Sequence, residues 1–188
     1  MKLSKVKIVS AFALLGSLVF ASKAAAQQPP SDANIGAIVL AANQIDIDYA
    51  KIALRKSKNK EVLAFAQQMV TDHSAVQKSV IELAGKLKLT PVDDATSNGL
   101  KSKSVEVKAK LKSLHGKAFD KYYIDNEVAY HKVVCDAVST VLIPNAQNAE
   151  LKSALQGALP LFQGHLEHVQ KLQATVDPAA AHGAMGHK

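Results

Sequence analysis

The clearest hydrophobic pattern in the chain covers residues 60 to 88, where apolar side chains recur at alternating steps of four and three. At about 100° of rotation per residue, this spacing puts them on one face of an α-helix. The position missing from the series, at the centre of the stripe, is His73. The stretch therefore predicts an amphipathic helix with an imidazole on its buried face. The apolar members of the stripe are Val62, Ala66, Met69, Val76, Val80, Leu83 and Leu87.

A first helix is predicted before this one, over residues 32 to 57, with Ser31 or Asp32 as its N-cap. Asp46 lies nearer to its apolar stripe than Asp48 does. The break at residues 57 to 59 is short enough to require an antiparallel return, and Asn59 is suited to cap the second helix. The stripe of the first helix is Ile35, Ile38, Ala42, Ile45, Tyr49 and Ile52.

The third long helix is predicted from residue 117 to residue 142, ending before Pro144. Asp120, Glu127 and His131 lie within about 45° of the centre of its apolar face. The residues that define this face are Tyr123, Val134, Val138 and Val141.

The fourth long helix is predicted from residue 146 to residue 174. His165 lies at the centre of its stripe and His168 at the edge, and Pro160 is expected to kink it. The apolar members of the stripe are Leu151, Ala154, Ala158, Leu161, Val169 and Leu172.

A shorter amphipathic segment at residues 100 to 114 separates the second and third of these helices, after a turn-rich loop at 90 to 99. Lysines flank its apolar face, which is typical of a solvated surface; weak contact with an anionic surface is the alternative. The expected fold is therefore all-α: an antiparallel four-helix bundle at residues 34 to 176 with a short extra helix between helices two and three. The apolar face of the extra helix is Leu100, Val107, Leu111 and Leu114, and Gly116 is suited to end it.

Both ends of the chain differ from this pattern. Residues 1 to 26 begin with Lys2, Lys5 and Lys7, continue with an apolar run and end in the small residues Ala24-Ala25-Ala26, which predicts a secretory signal peptide cleaved after Ala26. The apolar run is shorter than the roughly 20 residues of a membrane span, and no later run is long enough. We expect a periplasmic protein without a membrane span, with a linker at residues 27 to 33 and a disordered tail at 177 to 188 carrying His182 and His187.

Charge and motifs exclude several functions. The whole chain has 23 basic and 16 acidic residues, and removing four lysines of the signal region leaves 19 against 16, a net charge of +3. Nucleic acid is not an expected partner at this charge. Cys135 is the sole cysteine and has no internal partner for a disulfide. Hydrolase and nucleotide-binding functions lack support, since the chain has no catalytic triad pattern, glycine-rich phosphate loop or CxxC motif.

The inward polar residues are expected to lie at similar heights in the bundle. Counting 1.5 Å per residue from the connecting turns puts Asp46 and His73 within roughly 3 to 5 Å of one level, and Glu127 level with His165. His131 follows Glu127 by one turn. Imidazoles and carboxylates converging from four helices favour a transition-metal site over calcium or magnesium. A purely structural network of His-carboxylate hydrogen bonds is the alternative, because pairing also avoids the cost of burying these groups.

Three segments, NKEVLAFAQQMVTDHS, FDKYYIDNEVAYH and LPLFQGHLEHVQKL, resemble an exported bacterial family known as domain of unknown function 4142. The resemblance extends from about Asn34 to Leu172. It implies a ferritin-like four-helix bundle of the bacterial envelope with no established activity. The marks of the family present in this chain are Asp46, Asp72, His73, Phe119, Asp120, Tyr123, His131, Leu159, Pro160 and His165.

The wider ferritin-like group implies di-iron chemistry, but its two Glu-x-x-His motifs are missing here. Val70 and Phe162 stand three residues before His73 and His165. We therefore expect a mononuclear, histidine-rich site, with iron as the first candidate and zinc or copper next, and we assign no catalytic residue. The alternatives are a structural or stress-related envelope protein and a carrier of a small apolar ligand beside Pro160. The expected ligands are Asp46, His73, His131 and His165, with Asp120, Tyr123, Glu127 and His168 as further ligands or supporting groups.

Overall fold

The computed structural model describes residues 28 to 176, so the predicted signal peptide and tail lie outside the described residues. Within this range the secondary structure is helical and contains no strand. A π-helical turn, Val138–Leu142, continues the fourth helix into a short α-helical turn. The α-helices are α1 (Asp32–Lys56), α2 (Lys60–Lys86), α3 (Ala95–Ser113), α4 (Gly116–Ala137), α5 (Ile143–Asn145) and α6 (Ala149–Val176).

The helix ends follow the capping rules that the sequence indicated. Ser31 caps α1, its Oγ accepting from the backbone N of Asn34, whose own side chain accepts from the backbone N of Ser31. Asn59 caps α2 by accepting from the backbone N of Glu61. Gly116, with φ of 56°, lies at the junction of α3 and α4, where left-handed backbone favours glycine.

Helix α1 is the most extensively buried element, because α2, α3 and α4 all pack against it. Asn43 and Gln44 of α1 bond to His73 and Gln77 of α2. On the side of α3, Asp48 of α1 pairs with Lys108. Leu111 of α3 is fully buried. The extra helix therefore forms part of the core.

The buried apolar side chains form two clusters along the bundle. The first includes Phe65 and Phe119, and the second includes Ile35, Leu142 and Phe162. On each of α1, α2, α4 and α6, the inward polar residues come between members of the two clusters. The fold thus positions a polar layer between two apolar halves of the core.

Two predicted stripes differ from the structure. Val141 is 41% exposed and Leu142 is buried, because the π-helical turn adds a residue and rotates the positions after it. On α6, Leu151, Val169 and Leu172 are buried as predicted, but Leu161 is 37% exposed and the next residue, Phe162, is buried in its place. Leu155 is buried where Ala154 was expected.

Two prolines lie within helical segments. The predicted end before Pro144 is wrong, since helical backbone continues to Asn145. The π-helical turn already departs from ordinary pairing there, and this lessens the cost of the missing proline N–H. Helix α6 also runs through Pro160 without a break. Between residues 28 and 176, no helix combines the length and apolarity that crossing a membrane requires.

Candidate metal centre

Five ionisable side chains form a buried layer across the bundle, here called the polar layer. None of them is more than 3% exposed, and they come from four different helices. The members are Asp46 on α1, His73 on α2, Glu127 and His131 on α4, and His165 on α6.

The carboxylate of Asp46 lies between two imidazoles. Its Oδ2 atom is 3.3 Å from Nε2 of His73 and 3.6 Å from Nε2 of His131. Counting residues from the turn therefore predicted the relative height of Asp46 and His73 correctly. His131 is also near a second carboxylate, with 3.5 Å between its Nδ1 and Oε2 of Glu127.

The side chains of the polar layer make two overlapping groups of candidate ligand atoms. One atom each from His73, His131 and His165 lie within 4.8 Å of one another. In the second group, one ligand atom each from Asp46, Glu127 and His131 also lie within 4.8 Å of one another. His131 belongs to both groups, so the nitrogen-rich and oxygen-rich parts of the layer are adjacent.

The tautomer of His73 is determined by Asn43. The Nδ2 atom of Asn43 donates to the backbone oxygen of Val39 at 2.8 Å, so its Oδ1 is directed to Nδ1 of His73 at 2.9 Å. An amide oxygen accepts only, and Nδ1 of His73 must therefore carry the proton. The Nε2 atom of His73 is left with a lone pair directed to the polar layer.

The other two imidazoles are oriented in the same way. Nδ1 of His131 donates to the backbone oxygen of Glu127 at 3.1 Å, and Nε2 of His165 donates to Oδ2 of Asp72 at 2.9 Å. Each histidine thus uses one nitrogen as a donor to an outer acceptor and keeps the other free. This is the arrangement that metal-ligating histidines ordinarily have.

The remaining polar atoms of the layer are buried without hydrogen-bond partners among the described residues. Polar atoms in protein interiors are nearly always paired, because an unpaired one costs about 1 to 3 kcal/mol. These unpaired atoms are Nε2 of His73, Nε2 of His131, Nδ1 of His165, and both carboxyl oxygens of Asp46 and of Glu127.

Burial determines the protonation of the layer. Desolvation, helped by the neighbouring imidazoles, lowers the pKa of His73 to about 2, and desolvation lowers the pKa of His131 to about 4. Desolvation raises the pKa of Asp46 to about 8 and raises the pKa of Glu127 as well. Near pH 7 and without a cation, the imidazoles are neutral with free lone pairs and the carboxyl group of Asp46 is mostly protonated.

Of the four residues predicted as further ligands or supports, Glu127 lies in the polar layer and the other three lie outside the converging groups. Tyr123 and Asp120 are on the same face of α4, and the Tyr123 hydroxyl and Oδ1 of Asp120 are buried without a partner. His168 is exposed and its Nδ1 bonds to Oε1 of Gln68 at 2.9 Å.

Sequence reasoning missed two residues that orient the layer. Asn43 lies three residues before Asp46, on the same face of α1, and this spacing was the available signal. Asp72 was noted as a mark of the resemblance, but its bond to His165 joins residues 93 apart in the chain. Which side chain lies opposite it depends on how α2 and α6 pack.

Two aromatic side chains pack against imidazoles of the polar layer. The ring of Phe162 stacks on His73, with centroids 5.5 Å apart and planes at 7°. The hydroxyl of Tyr130 donates to the backbone oxygen of Ala42 at 3.0 Å, and its ring lies edge-on to His131.

Comparison with known proteins gives one match. The family model described as Domain of unknown function (DUF4142) matches residues 18 to 172 and covers the whole polar layer. Neither a curated protein nor a solved structure matches significantly.

Proposed function

Because the chain belongs to the family described as Domain of unknown function (DUF4142), whose description gives no activity, we propose a function from the polar layer: the protein binds a transition-metal ion there. His73, His131, His165 and Asp46 hold the ion, and Glu127 completes or supports the set. Iron is the first candidate, with zinc and copper next. A bound iron ion would supply one-electron chemistry; no reaction is assigned to it.

The observation that carries this proposal is the set of unpaired lone pairs on three buried imidazoles. Protons alone do not pair them all. The carboxyl groups of Asp46 and Glu127 offer at most two protons, whereas three nitrogens need a donor. A cation can bind all three lone pairs and the carboxylate oxygens at the same time. A metal ion therefore explains the unpaired atoms of the polar layer better than hydrogen bonds do.

The donor types favour a transition metal. Imidazole nitrogens suit iron, copper and zinc, whereas calcium and magnesium prefer sites made of oxygen. The outer partners of the imidazoles, Asn43, Asp72 and the Glu127 carbonyl, match the support that such ligands have in proteins.

Elemental analysis of the mature protein, purified without a tag or chelator, tests the proposal. We expect about one equivalent of a transition metal, lost when His73 and His165 are both replaced by leucine. His115→Leu is the matched control, since His115 is exposed and caps nothing with its side chain. H182A/H187A tests whether the tail contributes, and we expect it to keep the metal.

Protein that is metal-free as isolated, and that takes up no added iron, zinc or copper, would overturn the proposal. So would metal content that follows His182 and His187 instead of His73 and His165.

A structural or pH-responsive network is the second candidate, favoured by the position of Asp46 between two imidazoles. In that case replacing His73 by leucine changes the free energy of unfolding and leaves metal content unaffected. The two measurements on one variant therefore separate the candidates.

We also propose the ferritin-like, antiparallel arrangement for α1, α2, α4 and α6. Opposed contacts along α2 and α6 support it, since Glu61 bonds to Thr175 near one end and Lys86 pairs with Glu150 near the other. An experimental structure compared with known ferritin-like folds tests this arrangement.

Export to the periplasm is the proposed location, and the lysine-rich start with its apolar run and alanines supports it. Intact mass spectrometry of the protein from a periplasmic fraction should give a chain that begins at Gln27. A full-length chain recovered from the cytoplasm would contradict the proposal.

A further inference from the structure

A cavity of about 100 Å³, here called the side cavity, lies beside the polar layer between α1, α3, α4 and α6. Its inner end is formed by Asp46, His73 and His131, which are three of the four proposed ligands. The remaining walls are almost wholly apolar and include Ile38, Leu100, Val134, Val138, Leu142 and Phe162.

The outer end of the side cavity reaches the surface between α3 and α4. Thr96 of α3 and Val133 of α4 both line it, and both are exposed, Val133 at 61%. Contacts between α3 and α4 are sparse, so the two helices leave an opening where they diverge. The cavity therefore connects the surface with the polar layer.

The side-chain polar groups of Asn43 and Tyr130 in the walls already make hydrogen bonds within the protein. Asn43 donates to Val39 and accepts from His73, and the Tyr130 hydroxyl donates to the backbone oxygen of Ala42. Outside the inner end, an ion in the cavity would lose its hydration without gaining partners, at a cost of several kcal/mol. Apolar cavities of similar size stay dry and accept apolar guests such as xenon.

Size and polarity together define what the cavity accepts. A volume of about 100 Å³ holds a molecule of a few heavy atoms, and the walls select an uncharged one. We propose that the side cavity is the route by which a diatomic gas, of the dioxygen or nitric oxide class, reaches a metal ion held by the polar layer. This inference rests on the proposed function and adds a class of small-molecule ligand to it.

Xenon uptake by the metal-free protein tests the cavity independently of the metal. In crystals under xenon pressure we expect one xenon atom in the side cavity of the wild-type protein. Ala137→Phe should abolish that density, because Ala137 lines the cavity and a benzyl group fills it. Ala118→Phe, at an exposed position of α4, is the matched control and should retain the xenon.

Nitric oxide tests access to the metal. With ferrous protein of equal iron content, we expect the rate of nitric oxide binding, followed by stopped-flow absorbance, to fall at least tenfold in Ala137→Phe and to stay unchanged in Ala118→Phe. Thr96→Trp narrows the mouth from α3 and provides a second variant if Ala137→Phe does not fold.

The outcomes separate the two proposals. Protein that takes up xenon but no iron would overturn the proposed function and leave the cavity intact. Iron-loaded protein without xenon in the cavity, or with nitric oxide binding equally fast in both blocked variants, would overturn the access route.

Discussion

The Nε2 atom of His165 lies 2.9 Å from Oδ2 of Asp72, across the contact between α6 and α2. Asp72 immediately precedes His73. One residue of α2 therefore orients the imidazole of α6, and the next residue supplies an imidazole of its own. Asp72 holds the proton of His165 on Nε2, which leaves Nδ1 buried without a hydrogen-bond partner among the described residues. One carboxylate at the edge of the core therefore determines the tautomer of a fully buried histidine.

Replacing Asp72 should weaken metal binding without removing a ligand. In Asp72→Ala we expect affinity to fall by about 10- to 100-fold, because His165 loses the acceptor that orients it. Competition with a chromophoric chelator measures the change. Glu82→Ala, which removes an exposed carboxylate from the same helix, should leave affinity unaltered. Equal affinities for Asp72→Ala and the wild type would show that His165 is not a ligand.

Replacing Asn43 should destabilise the metal-free protein. Asn43→Ala leaves Nδ1–H of His73 buried without an acceptor, which costs about 1 to 3 kcal/mol of the free energy of unfolding. Urea denaturation of the metal-free protein measures the loss. The neighbouring Gln44→Ala, at an exposed position, should change stability by less than about 0.5 kcal/mol. A loss of similar size in both variants would argue against a specific role for Asn43.

Stability of the metal-free protein should be greatest near pH 6.5. Below this pH the unfolded chain protonates histidines of ordinary pKa 6.5, whereas folded His73 and His131, with pKa values of about 2 and 4, stay neutral; stability therefore falls as pH falls. Asp46 has the opposite effect on stability. Its pKa of about 8 in the folded protein exceeds the ordinary 3.8, so its contribution to the free energy of unfolding is lost as pH rises toward 8.

The acid and alkaline effects on the free energy of unfolding have different causes. The lowered pKa values of His73, His131 and His165 produce the decline toward acid pH, and the raised pKa values of Asp46 and Glu127 produce the decline toward alkaline pH. Urea titrations between about pH 5 and about pH 8 measure the curve. In Asp46→Asn the alkaline decline should lessen, and a wild-type curve that rises steadily to pH 8 would contradict the expected protonation.

Metal binding near pH 7 should release protons. Burial raises the pKa of Asp46 to about 8, so this carboxyl group is mostly protonated without a cation, and burial raises the pKa of Glu127 as well. A bound cation favours the ionised forms of both. Affinity should therefore rise as pH increases toward 8. Calorimetry in two buffers of different ionisation enthalpy counts the protons. We expect metal binding to Asp46→Asn to release one proton fewer than binding to the wild type. Metal binding without any proton release would exclude both carboxyl groups as ligands.

The contribution of α3 to the core can be measured at Leu111. Leu111→Ala should lower the free energy of unfolding by about 2 to 5 kcal/mol, because Leu111 is fully buried beside α1. Val105→Ala on the same helix should change it little, since Val105 is 64% exposed. Thermal and urea denaturation measure both variants. Equal small effects would mean that α3 adds little to the stability of the bundle.

Local chemistry in the sequence determined where the helices begin and which of them carry the candidate ligands. Ser31 and Asn59 were recognisable as caps because capping involves residues only two or three apart. The 3.6-residue period placed Asp46, His73, His131 and His165 on inward faces, and all four are buried.

The tertiary structure decided the features that depend on how helices rotate and pack against one another. Periodicity reports the average direction of a face, so it did not separate Leu161 from Phe162, and it does not detect the π-helical turn that buries Leu142. The bonds from Asn43 to His73 and from Asp72 to His165 join residues 30 and 93 apart. Such pairs follow from packing over whole helices, and that is why the outer partners of the layer and the side cavity emerged only in three dimensions.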